Sequence, residues 1–159
     1  MKFRVLNLAL AAAVSGGLFL AFTPAAPAAD PAEQVKARQQ HMKKFGGSMQ
    51  TIGKFLKGEA GTIEDVQKAA ATIDEAAKAD FAVLFPQGTA APLADSATKP
   101  ELWQSLPKAQ QQWAELKPAA AKLVAAAATG DKAQIGPAAQ ATGKACGGCH
   151  EDFRIKKDK

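Results

Sequence analysis

The chain has no tyrosine, two tryptophans, two histidines and two cysteines among its 159 residues. Two cysteines rule out a fold stapled by a disulfide framework. Aromatic residues make up 6% of the chain and β-branched runs are few, so there is little material for strands. No block of like charge occurs, which removes the usual basis for binding nucleic acid. Beyond Phe22 no apolar run is long enough to span a bilayer. No acid–base pair or activated nucleophile stands out, so nothing reads as an enzyme. There is no internal repeat and no sign of a second domain.

What is present begins with an export pattern. Lys2 and Arg4 precede an Ala/Leu-rich run from Val5 to Phe22, followed by Ala26-Pro27-Ala28. Basic, apolar and small in that order describe a secretory signal peptide over residues 1–28. Ser15-Gly16-Gly17 interrupts the run and weighs against an uncleaved anchor. The expected mature domain is 29–159, placed in the periplasm. Without Lys2 and Arg4, 18 basic residues face 15 acidic ones, a formal charge of +3.

The mature chain is rich in Ala, Lys, Gln, Glu and Leu, all helix formers. Four stretches carry helical periodicity. The first, Pro31 to Lys57, sets Val35, Arg38, Met42, Phe45, Met49, Ile52 and Leu56 on one face, and Gly58 ends it. The second starts at Thr62, with Asp65 placed for a capping box, and runs through Leu84 to the breakers Pro86-Gln87-Gly88. A long Pro/Gly/Ala-rich connection reaches Pro100. The third covers Pro100 to Ala128, with Pro107 and Pro118 as candidate points where it kinks or divides. The fourth, capped by Asp131, carries Ile135, Ala139, Thr142, Cys146, Cys149 and Phe153. Four helices with two short links and one long one predict an all-α antiparallel four-helix bundle.

Cys146-Gly147-Gly148-Cys149-His150 is the chemical centre of the chain. C-x-x-C-H is a haem-attachment pattern. Two thiols three apart on a helix share a face and can each add to a vinyl group on one edge of a porphyrin. His150, about 100° further round, can offer its imidazole to iron, and the glycines let the ring lie close. Three other readings compete. A thioredoxin-type dithiol would open a helix after a strand, a structural zinc would need all of His41, Cys146, Cys149 and His150, and a plain disulfide would close a tiny loop.

The other side of the iron is less determined. Met42 lies on the inward stripe and is either a second axial ligand or core filler. Met49 competes from two turns away, roughly 10 Å. His41 points about 100° from Met42 and is expected to face solvent. Arg38 is the single charge on an apolar stripe and calls for a buried anionic partner, unless it snorkels.

Arg38-Gln39-x-x-Met42-Lys43 near one end, with Cys146-x-x-Cys149-His150-x-x-Phe153-Arg154 at the other, resembles the class II cytochromes c. These are the cytochrome c′ family and its low-spin relatives. Lys57-Gly58-Glu59 and Pro100-Glu101-Leu102-Trp103 extend the resemblance over the mature chain. It implies one covalent haem c with iron, and places the residue matching Met42 over the distal face. Met followed by Lys, with Gly46 and Met49 beyond, looks like the low-spin, methionine-ligated branch. The resemblance also implies that Arg38 and Gln39 contact a haem propionate, that Arg154 lies beside the proximal ligand, and that a homodimer is available to the first helix. Trp103, Phe153 and Phe45 are haem contacts or plain core.

The resulting expectation is a periplasmic electron carrier with His150 and Met42 as axial ligands, docking unidentified redox partners through lysines such as Lys43, Lys144 and Lys156. The alternative is a five-coordinate protein that binds NO or CO. A haem-free thiol-redox or metal-binding bundle is the third possibility.

Overall fold

The computed structural model describes residues 30–156. The expected signal peptide lies outside these residues. Six helices follow in order: α1 Pro31–Lys57, α2 Ile63–Ala77, α3 Phe81–Leu84, α4 Glu101–Gln104, α5 Leu106–Thr129 and α6 Lys132–Phe153. The four long ones form the expected antiparallel bundle.

Local chemistry sets the ends. Asp30 accepts from the Ala32 amide at 2.9 Å with Pro31 opening α1, and Gly58 closes that helix at φ 74°. Thr62 and Asp65 make a reciprocal capping box, the Thr62 amide donating to Asp65 Oδ2 at 2.9 Å. Asp131 caps α6 by accepting from the Ala133 amide at 2.8 Å.

Two of the expected helices are divided. The second stops at Ala77, because Asp80 caps a separate single turn, accepting from the Ala82 amide at 2.8 Å. The third divides at Ser105 (φ −125°, ψ 40°), where Pro107 stands in the first turn of α5. Pro118 sits inside α5 and Pro137 inside α6. The connection 85–100 holds one 3₁₀ turn, Leu93–Asp95, in which Ala94 and Asp95 both have positive φ.

Cross-helix bonds define the register. His41 on α1 meets Ala76 on α2, Gln67 on α2 reaches Ala127 on α5, and Trp113 on α5 donates to the Ala79 carbonyl just beyond α2. Thr142 on α6 bonds to Ala119 on α5, and Asp152 to Gln112. The core between them contains Ile52, Val66, Ile73, Leu102, Leu123 and Ile135, all fully buried, with many alanines that let the helices approach closely.

Candidate functional site

The functional residues gather at one end of the bundle. His41 and Phe45 on α1 lie against the Trp113 ring of α5, with centroids 6.4 and 6.1 Å away. Gln112, beside Trp113, donates to Asp152 on α6 at 2.7 Å. Level with one another are therefore the middle of α1, the Trp113 turn of α5 and the Cys146–His150 turn of α6.

An independent contact fixes α1 against α6. The Met49 methyl lies 3.8 Å from where a Cβ on Gly143 would stand. The two helices run antiparallel, so seven residues back on α1 matches seven forward on α6. Met42 is thus level with His150, and Met49 stands roughly 10 Å away at Gly143. The two methionines stand at different levels of α1. Both are half-buried at the edge of the stripe, while Val35, Phe45, Ser48 and Ile52 are its buried centre.

Cys146 and Cys149 are half-buried, unpaired thiols packed on the core. Burial raises both pKa values. Cys149 reaches about 11, with Asp152 and Cys146 adding to the effect. A redox dithiol needs a thiolate, normally supplied by a helix N-terminus, and these thiols occupy the opposite end of a helix. Among the described residues no three His, Cys, Asp or Glu side chains converge as a metal site, so His41 does not join the motif around a zinc.

The residues present fit a haem. Two thiols and an imidazole share one end of α6. A Cβ added at Gly147 would meet nothing within 4 Å, and one at Gly148 only Gln112 Nε2 at 3.9 Å. On α1, Gly46 lies one turn beyond Met42, exposed and also with nothing within 4 Å of an added Cβ. His150 is exposed, and partial desolvation, with Arg154 second, lowers its pKa. The imidazole is then neutral over a wider pH range, as a metal ligand must be.

A model of the cytochrome c′ family matches residues 33–154. The chain belongs to the cytochrome c′ family. Its cofactor is haem c, covalently bound. Cytochrome c′ of Rhodospirillum rubrum is 36% identical over 138 residues, 85% of this chain and 90% of that protein. Cytochrome c-556 of Agrobacterium tumefaciens is 36% identical over 127 residues, 79% of this chain and all of the relative. Cytochrome c′ from Thermochromatium tepidum superposes with a TM-score of 0.74 at 31% identity, covering 80% of this chain and 98% of its own. Another cytochrome c′, described by its ligand-controlled dimer dissociation, gives 0.75 at 31%, over 81% and 99%. Cytochromes named c′ and c-556 match equally well. The relatives therefore do not single out the low-spin, methionine-ligated branch suggested by Met42-Lys43.

One further expectation needs correction. His41 does not face solvent: it is half-buried, its Nε2 is 2.9 Å from the Ala76 carbonyl, and its ring packs edge-on to Phe45. The carbonyl gives its ring nitrogen a partner, which lets it stay inside. Arg38 is 4% exposed, yet its partners are neutral. Nη1 donates to the Leu84 carbonyl (3.2 Å) and Thr89 Oγ1 (2.7 Å), and Nη2 to the Thr89 carbonyl (2.8 Å) and Ser96 Oγ (3.0 Å). The guanidinium also lies 5.2 Å over the Phe85 ring. Several neutral acceptors and an aromatic face hold the guanidinium within the chain. Gln39 donates to the Asp95 carbonyl at 3.3 Å, on the same loop.

Trp103 donates to the Phe85 carbonyl, and Phe45 and Phe153 are buried core. Arg154 is exposed and close enough to act on His150 electrostatically. Lys43, Lys144 and Lys156 are exposed. Gln112 was missed from the sequence. It faces Gly148 and Asp152 from another helix, and its side-chain oxygen is buried without a partner. Only its spacing one residue before an inward tryptophan hinted at this.

Proposed function

We propose that the protein is an exported monohaem cytochrome of the c′ kind, whose iron takes His150 as its ligand and offers the Met42 side to a small diatomic gas, NO or CO. The observation that carries this reading is the register of α1 on α6, which sets Met42 level with His150 and Gly46 open one turn further on. Cys146 and Cys149 would anchor the porphyrin through two thioethers. When bound, the haem supplies the iron that changes oxidation state and takes the gas. The chain's own residues hold the imidazole neutral, exclude water with Phe45, Trp113 and Phe153, and cover the distal face with Met42. Arg38 and Gln39 are candidates for a propionate contact because they stand one turn before Met42, and none of the Arg38 bonds described uses Nε.

A second reading keeps Met42 bound to iron, giving an electron carrier. Its support is the thioether itself, a competent donor at the right level, with Lys43 exposed beside it to attract an acidic redox partner. Among the described residues no helix is long and apolar enough to cross a membrane. Removal of residues 1–28 by signal peptidase and residence in the periplasm belong to this proposal.

Visible spectra of the matured protein, reduced, with and without CO, test both readings. A high-spin ferrous spectrum that shifts on adding CO supports the gas site. A low-spin spectrum indifferent to CO replaces it with the electron carrier, and absence of a haem band overturns both.

A further inference from the structure

The segment Ser96–Lys99 joins the two sides of the site. From α1, Arg38 Nη2 donates to Ser96 Oγ at 3.0 Å, and the same hydroxyl donates to the Thr89 carbonyl (2.9 Å) and accepts from the Thr98 amide (3.2 Å). Thr89, Ser96 and Thr98 are buried although they belong to a connection. On its other edge the segment pairs with the chain just beyond His150. The Ile155 amide donates to the Ala97 carbonyl at 2.8 Å, the Lys99 amide donates to the Phe153 carbonyl at 2.9 Å, and Thr98 forms an antiparallel bridge with Arg154. Lys99 Nζ donates to the carbonyls of Glu151 (3.3 Å) and Asp152 (3.0 Å).

A helix leaves its last carbonyls without intrahelical partners. Many helices solve this with a left-handed glycine, as α1 does at Gly58. α6 instead ends on Arg154 in an extended conformation, and Lys99 takes the three carbonyls from 151 to 153. The Arg154 amide still closes on the His150 carbonyl at 3.1 Å, but the rest of the last turn is held by the connection. The connection is in turn anchored by Arg38, one turn before Met42.

We propose that Arg38 and Ser96 are positioning residues for His150, acting through the Ser96–Lys99 strap and coupling the distal helix to the proximal ligand. The inference rests on His150 as the iron ligand. Loss of the Arg38–Ser96 anchor frees the strap, the last turn of α6 frays, and the imidazole loses its fixed orientation.

Ser96→Ala removes the junction hydroxyl with little change of volume, and Arg38→Lys keeps the charge while losing the fork. Lys99→Met cuts the strap at its far end without touching α1. In the haem-loaded protein, each should raise amide exchange at Lys99, Arg154 and Ile155 by about tenfold or more. Each should also shift the His150 ring resonances in the ferric NMR spectrum. Amides of α2 at Ile73 should not change. The proposal is overturned if Ser96→Ala speeds exchange only at residues 96–98, with Ile155 protection and the His150 resonances unmoved. Failure of the haem reading would look different: the parent protein would carry no haem band, while the exchange measurement would still report on the strap.

Discussion

Met42 and Met49 have the same chemistry and differ only in level. A thioether reaches a few ångströms, so the roughly 10 Å between them along α1 decides which one meets a group held at His150. Met42→Leu should alter the spectrum or the CO affinity of the haem-loaded protein, and Met49→Leu should leave both close to the parent. Equal effects from the two substitutions would contradict the register. The cysteines offer a second measurement at this scale. With Cys149 raised to about 11, its thiolate fraction near neutral pH is small. Raising a thiol pKa leaves less thiolate at any pH below it. In folded, haem-free protein, alkylation of Cys149 at pH 8 should run about a hundredfold slower than that of a free cysteine and recover only as pH nears 11. Fast alkylation at pH 8 would favour the thiol-redox reading.

At the scale of elements, legibility followed the range of the interaction. Caps were readable because they are written within three or four residues: Thr62 with Asp65, Gly58 and Asp131 all act where the pattern placed them. The break at Lys78 was not, since it exchanges a continuous helix for a cap at Asp80 that the apolar period does not register, whereas Pro107 marked the division of the third helix without fixing it at Ser105. The α5–α6 turn gives a direct test. Gly130 closes α5 at φ 71°, and a Cβ there would stand 3.7 Å from Ile63 Cγ1. Gly130→Ala should cost about 1 kcal/mol, chiefly from the left-handed backbone, and urea unfolding would measure it. The strap shows the opposite case, a loop whose buried Thr89, Ser96 and Thr98 have meaning only once Arg38 and α6 stand on either side.

The molecule as a whole is held by a narrow core of branched side chains separated by alanines. Ile73 is fully buried in it. Ile73→Ala should destabilise the protein by about 3 kcal/mol, read as a lowered unfolding midpoint, because the tightly packed helices relax little around the cavity. Haem attachment should survive if the destabilised chain still folds during maturation. By itself the sequence determined the helical class, the caps, the haem-attachment motif and the family, since these depend on spacing along the chain. Only the tertiary structure set Met42 level with His150, turned His41 inward, gave Arg38 to a loop and seated that loop on the end of α6. Those facts depend on the rotation and axial offset of whole helices, which are set by packing between residues far apart in sequence.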